Sequence, residues 1–205
     1  MTGNEMLTNL GLRLEDPAQS VFTQAAKLDA INIAQKTVVN MVDAGYLTEL
    51  EETTGAGTDS AGQCSISGID PIRGNILGVY SSSASKWCSM VETKDIQSLD
   101  NSYISGDSSN PIAYIFNETI YVKPAAVTSL EIWYLKAPDD LDAGTTECEL
   151  NPALQEMVLD FAESQLWRMD GKSDRASAAY NNALNTVKVL NERYATESPI
   201  GSKSR

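Results

Sequence analysis

The chain has 205 residues, with 28 acidic side chains against 15 basic ones, a net charge of −13 and no histidine. That length suits one domain with an elaboration, or one and a half domains, and the charge excludes a surface that grips nucleic acid by neutralising its phosphates. Without histidine, Ser-His-Asp, Cys-His and His-based zinc chemistry are excluded within this chain.

The acid is unevenly placed: residues 1–60 carry a net −6, residues 61–151 a net −7 and residues 152–205 a net zero. Cys64, Cys88 and Cys148 are odd in number and widely spaced, which fits free thiols in a reducing compartment better than a disulfide framework. The first ten residues lack a positive region followed by an apolar stretch, and no run reaches about 18 apolar residues. The expectation is a protein made in a cytoplasm that does not cross a membrane on its own.

Residues 1–15 read as a polar arm bearing Leu7, Leu10, Leu12 and Leu14. Asp16-Pro17 is expected to open a helix that continues through Val42, with Leu28, Ile31, Ala34, Val38, Met41 and Val42 as its buried stripe and Gly45 as its stop. The Gly/Ser/Thr-rich run Glu51–Gln63 reads as a loop or mobile excursion. Five short β-type runs follow, at Ile76–Tyr80, Trp87–Val91, Ile112–Phe116, Thr119–Val122 and Leu130–Leu135. Among them, Asn117 can take the positive φ of a two-residue hairpin turn, and Pro124 and Pro138 end the strands that precede them.

Asn151 is placed to cap a helix with Pro152 in its first turn and Gly171 just past its end. Its apolar face is Leu154, Met157, Val158, Phe161, Gln165, Leu166 and Met169. A second helix, capped by Ser173, carries Ala176, Tyr180, Ala183, Val187, Leu190 and Tyr194 along a narrow seam. The resulting fold class is α+β: a three-helix (or larger) bundle from residues 1–50 and 151–195, a loop and small antiparallel β insertion over 51–150, and an extended C-terminal tail over 196–205.

No catalytic, cofactor or metal site emerges. Asp139, Asp140, Asp142, Glu147 and Glu149 fit no Ca²⁺-loop register and read as a solvated acidic linker. Gly55-Ala56-Gly57-Thr58 lacks the lysine of a phosphate-cradling loop. The three tryptophans, Trp87, Trp133 and Trp167, read as core or subunit-contact residues; Trp167, beside the seam, is expected within the monomer, the alternative being an indole turned toward a neighbouring subunit.

The order of several pieces resembles the head–tail adaptor (connector) proteins of tailed bacteriophages over about residues 10–195. They are Leu10-Gly11, Ile31-Asn32-x-Ala34, the strand pair from Tyr114 through Ile120 to Pro124, Ile132-x-Tyr134 followed by Pro138, Pro152-Ala153-Leu154 with Ala162 and Leu166, and Ala176, Ala179-Tyr180 and Leu190. The resemblance implies a structural virion protein without enzymatic activity, forming a ring, expected to be dodecameric, beneath the portal. Its partners would be the portal protein, a tail or tail-tube/nozzle protein and further copies of itself, with DNA passing through the channel without specific binding and no membrane involved. It implies portal docking by the tail, through Pro199, Ile200, Lys203 and Arg205. The helical pair would pack the bundle and the ring through Leu154, Met157, Phe161, Leu166, Trp167, Tyr180, Val187 and Leu190. The alternative is a standalone acidic protein-binding module with no viral role, which recognises a partner through its β region.

Overall fold

A computed structural model of the chain describes residues 1–92 and 106–197. Two compact units emerge, one formed by Met1–Leu50 with Ala137–Arg205 and the other by Glu51–Lys136.

The first unit is helical. Helix α1 spans Gly3–Arg13, where Thr2 caps the amide of Glu5 and Glu5 caps Thr2 in return, so two orphan donors are satisfied reciprocally. Residues 1–15 are therefore not a polar arm: Met6, Leu7, Leu10 and Leu14 recur at helical steps and are all buried, while Leu12 faces out. Helix α2 spans Gln24–Met41 with Thr23 as its cap. It begins later than Asp16-Pro17 suggests because the Asp16 carboxylate caps the amides of Ser20, Val21 and Phe22 in a non-helical turn instead. After Val42, two short 3-10 turns at Ala44–Tyr46 and Thr48–Leu50 follow, and Leu47 and Leu50 are fully buried.

Helix α3 spans Pro152–Met169, capped by the Asn151 side chain on Ala153 N with proline in the first turn. Gly171, at φ 73°, reverses the chain into helix α4, Ser173–Glu197. Ser173 is the first helical residue rather than the residue before it. Because α3 packs against α1, α2 and α4 alike, its buried set covers most of its circumference, from Leu154 to Trp167.

The second unit is built of strands β1 (Glu51–Gly57), β2 (Gln63–Ser65), β3 (Pro71–Ser81), β4 (Lys86–Trp87), β5 (Ser89–Met90), β6 (Ile112–Phe116), β7 (Thr119–Lys123) and β8 (Ser129–Lys136). They form two four-stranded sheets of order β1-β8-β3-β4 and β2-β7-β6-β5. All pairs are antiparallel except β5 with β6. The β6–β7 turn is Asn117-Glu118, both at positive φ (48° and 55°), as a two-residue hairpin of matching twist requires. Residues contributed by both sheets, among them Cys64, Val79, Ala113, Ile120, Val122, Leu130 and Ile132, make one apolar core between them.

These sheets correct the expected helical bundle with a small antiparallel insertion. Four helices and two sheets among the described residues make a mixed α+β protein. The difference arises mostly at Glu51–Gln63, read as a loop: seven of its residues form β1, paired in register from Glu51↔Leu135 to Gly57↔Ser129. Its exposed side chains show no apolar alternation, so only the partner strand makes it a strand. The expected extended tail is corrected at its start, since Thr196 and Glu197 still belong to α4.

Candidate interaction surfaces

In the helical unit, distant segments are joined by side chains that take both halves of a backbone unit. Asn32 on α2 donates from Nδ2 to Leu141 O at 3.1 Å and accepts at Oδ1 from Leu141 N at 2.9 Å. Asn191 on α4 donates to Met41 O at 3.0 Å and accepts from Asp43 N at 2.8 Å. Arg13, at the end of α1, meets Glu156, Asp160 and Glu163 along one face of α3. Burial raises the Asp160 carboxyl above its ordinary range although Arg13 pulls it down.

Asp16 and Lys27 form a buried pair at the α1–α2 corner, with both side chains only 2% exposed. Lys27 Nζ reaches Asp16 Oδ2 at 3.2 Å and donates to Asp16 O at 2.6 Å. The backbone amide of Phe22, with Ser20 and Val21, holds the Asp16 carboxyl far below the usual carboxylate range against the opposing effect of burial. The stability this contributes is fully present above the ordinary carboxylate pKa and is lost as pH falls toward the folded-state value. The corner is therefore tied at neutral pH. No motif in the sequence announces it; the only signal is an Asp before a proline with a lysine eleven residues on.

The residues expected to pack the helical pair divide by exposure. Leu154, Met157, Phe161, Leu166, Trp167 and Val187 are buried, whereas Leu190 is half-buried and Tyr180 is 37% exposed. Phe161 meets Tyr180 edge-to-face at 5.6 Å. Trp167 packs edge-on against Phe22, donates from Nε1 to Glu163 at 3.1 Å and lies beneath Lys172 and Arg175. Met169, placed on the apolar face by spacing, is instead 68% exposed. Pro199, Ile200, Lys203 and Arg205 lie outside the described residues.

In the sheet unit, the face of β1-β8-β3-β4 turned away from the core carries an aromatic cluster. Trp87 is 55% exposed, meets Tyr80 edge-to-face at 5.4 Å and tilts on Trp133 at 5.6 Å. It lies over Gly78, where a Cβ would come within 2.8 Å of its ring, so only glycine admits this stacking. The Nε1 of Trp133 is buried without a hydrogen-bond partner. Sequence spacing finds these tryptophans in strands but cannot say which face is covered.

Two further features lie in this unit: β1 is an edge strand made of Thr, Gly and Ala beyond its two leading glutamates, and a cavity opens at one end of the sandwich. The three cysteines are buried and unpaired, and burial raises each thiol, Cys88 to about 11. They are inert core residues rather than nucleophiles. Among the described residues no cluster of three or more Asp, Glu, Cys or His could hold a metal ion, and no helix is long and apolar enough to cross a membrane.

Comparison with known proteins returned one family whose model, described as SU10 adaptor protein, matches residues 1–202. No curated protein matches the chain.

Proposed function

The chain belongs to the SU10 adaptor protein family, a phage structural family, and from that membership we propose that it is the head–tail adaptor of a tailed phage. In this reading it is a virion protein without catalytic activity that forms a ring, dodecameric by the family resemblance. The ring docks on the portal, joins the capsid to the tail and lines part of the DNA exit channel. The observation that carries the proposal is the span of the match, which takes in nearly all of both units rather than one motif.

The physical features support it. A net charge of −13 suits a channel that DNA passes without adhering, because like charges repel at short range and are screened beyond about 10 Å. Within the helical pair, the buried side chains hold the subunit itself, and Tyr180 and Leu190 are the members left for a neighbouring subunit. The segment after α4 is the portal contact: Ile200 is its one large apolar residue, with Lys203 and Arg205 beyond it. One such short contact is weak, and repetition around a ring makes many weak contacts a strong clamp.

The test is attachment to DNA-filled, portal-bearing heads that lack their adaptor, followed by sedimentation and electron microscopy. Full-length protein should co-sediment as a ring beneath the portal, and a variant lacking residues 198–205 should remain folded but stay in the supernatant. Failure of the full-length protein to attach would sink the adaptor assignment. Equal attachment of the truncated protein would remove the tail from the portal contact.

A further inference from the structure

The cavity at the end of the sandwich has a volume of about 510 Å³, and its lining includes Ile66, Ile69, Ile76, Ile115, Asp70 and Glu118. Three irregular pieces of chain wall it. One is the turn after β2, where Ile69 N donates to Ile66 O at 2.9 Å and Ile66 N to Glu118 O at 3.0 Å. The second is a bulge in β3: between Pro71↔Lys136 and Ile76↔Tyr134 the strand carries three more residues than its partner, and Arg73 and Gly74 take positive φ (55° and 67°). The third is the tip of the β6–β7 hairpin. The bulge interrupts the β3–β8 ladder here and leaves this end of the sheet open.

The lining separates by chemistry. Ile69, Ile76 and Ile115 pack against the core from its rim and are only partly covered, while Ile66 is buried. Isoleucine is stiff at χ1, so the apolar floor is formed before anything binds. Asp70 and Glu118 are exposed, and neither has an ion-pair partner among the described residues. Arg73 does not line the cavity. An aliphatic floor under two unpaired carboxylates excludes an anion and fits an aliphatic group carried next to a cation.

We infer that this cavity receives an extended peptide segment of a tail-side partner, one that presents an aliphatic side chain with lysine or arginine beside it. The inference rests on the adaptor reading for the partner's place in the virion, and on charge for its chemistry. The sheet unit carries ten acids against five bases, so the segment it receives is locally basic; a second copy brings the same sign over residues 1–151, and its basic end, residues 198–205, is one arm of the test below. Electrostatic complementarity of this kind selects partners more than it tightens them.

The experiment titrates full-length protein, labelled at isoleucine δ1 methyls, with the capped pentapeptide Ser-Lys-Ile-Lys-Ser. The methyls of Ile66, Ile69, Ile76 and Ile115, assigned by single Ile→Val substitutions, should shift progressively to saturation. The peptides Ser-Glu-Ile-Glu-Ser and Ser-Lys-Ser-Lys-Ser should bind at least about fivefold more weakly. The double variant Asp70→Asn/Glu118→Gln should bind the first peptide about three- to tenfold more weakly, the size of two exposed ion pairs. Equal binding of the acidic peptide, equal binding of the peptide without isoleucine, or unmoved methyls would each overturn the inference. So would tenfold tighter binding of a peptide with the sequence of residues 198–205, because the occupant would then be another copy of this chain. Head attachment measured in parallel separates the two proposals: unmoved methyls with normal attachment remove only the cavity's role, and shifted methyls without attachment remove the adaptor reading and with it a tail-side partner.

Discussion

In the helical unit, segments 109 and 150 residues apart are joined by single side chains that grip a distant backbone, Asn32 on Leu141 and Asn191 on Met41. In the sheet unit the chain closes on itself through backbone ladders around a small apolar core, and two of its aromatic side chains, Trp87 and Phe116, are left more than half exposed. A clasp made by one side chain is specific and is lost with that residue. A ladder is indifferent to side-chain identity once register is set, so residues on its outer face are free to serve contact. The helical unit thus concentrates its requirements at a few interior positions, and the sheet unit leaves its outer surface open to variation.

The contrast can be broken most forcefully at Phe161. Phe161→Ala should cost about 3–5 kcal/mol, measured by thermal or denaturant unfolding, a large share of the roughly 5–15 kcal/mol available to a domain. A parent-like melting curve would mean that α3 is not the centre of the helical unit. Next in size is Asn32→Ala, which removes both hydrogen bonds to Leu141 and should cost about 2 kcal/mol at about 1 kcal/mol each. A cost below about 0.5 kcal/mol in the same assay would show that the clasp is decoration and that helix packing alone closes the unit.

How far these features were legible varies with how local their causes are. The Asn151-Pro152 start, the Gly171 reversal and the Asn117-Glu118 turn each depend on a few adjacent residues, and each stands where spacing puts it. Helix α1 carries its own signal in Thr2, Glu5 and the buried steps from Met6 to Leu14, but Asn4, Thr8 and Asn9 between them give the stretch a polar look. Strand β1 carried none, since Thr-Gly-Ala-Gly looks like a loop until β8 lies beside it. The division of strands into two sheets is non-local in the same way: β1 pairs with β8 and β2 with β7, and no short window contains both members. The isoleucine cavity follows from that pairing and from a bulge, so it was hidden for the same reason. The residues proposed for portal docking rest on the resemblance alone and lie outside the described residues.

The smallest effect sharpens the contrast from the other side. Trp87→Ala removes an exposed ring from Tyr80 and Trp133 and should cost about 1 kcal/mol, read by denaturant unfolding, while the emission of Trp133 moves to longer wavelength as water reaches it. Part of the lost contact is offset because water can then pair the buried Nε1 of Trp133. A cost above about 3 kcal/mol would make the outer face a structural surface rather than one open to contact.

The pairing of β1 with β8 has one more consequence. The chain leaves the helical unit after Leu50 and returns at Ala137, and Glu51 stands opposite Leu135 in the ladder. Antiparallel partners have Cα atoms about 4.5–5.5 Å apart, so the two ends of an 86-residue excursion nearly touch. Such a segment is a cassette: a short linker could bridge the gap if it were cut out, and a cassette of different length or content could be spliced in without moving a helix. Either exchange would place its joints where the ladder already brings the chain back on itself.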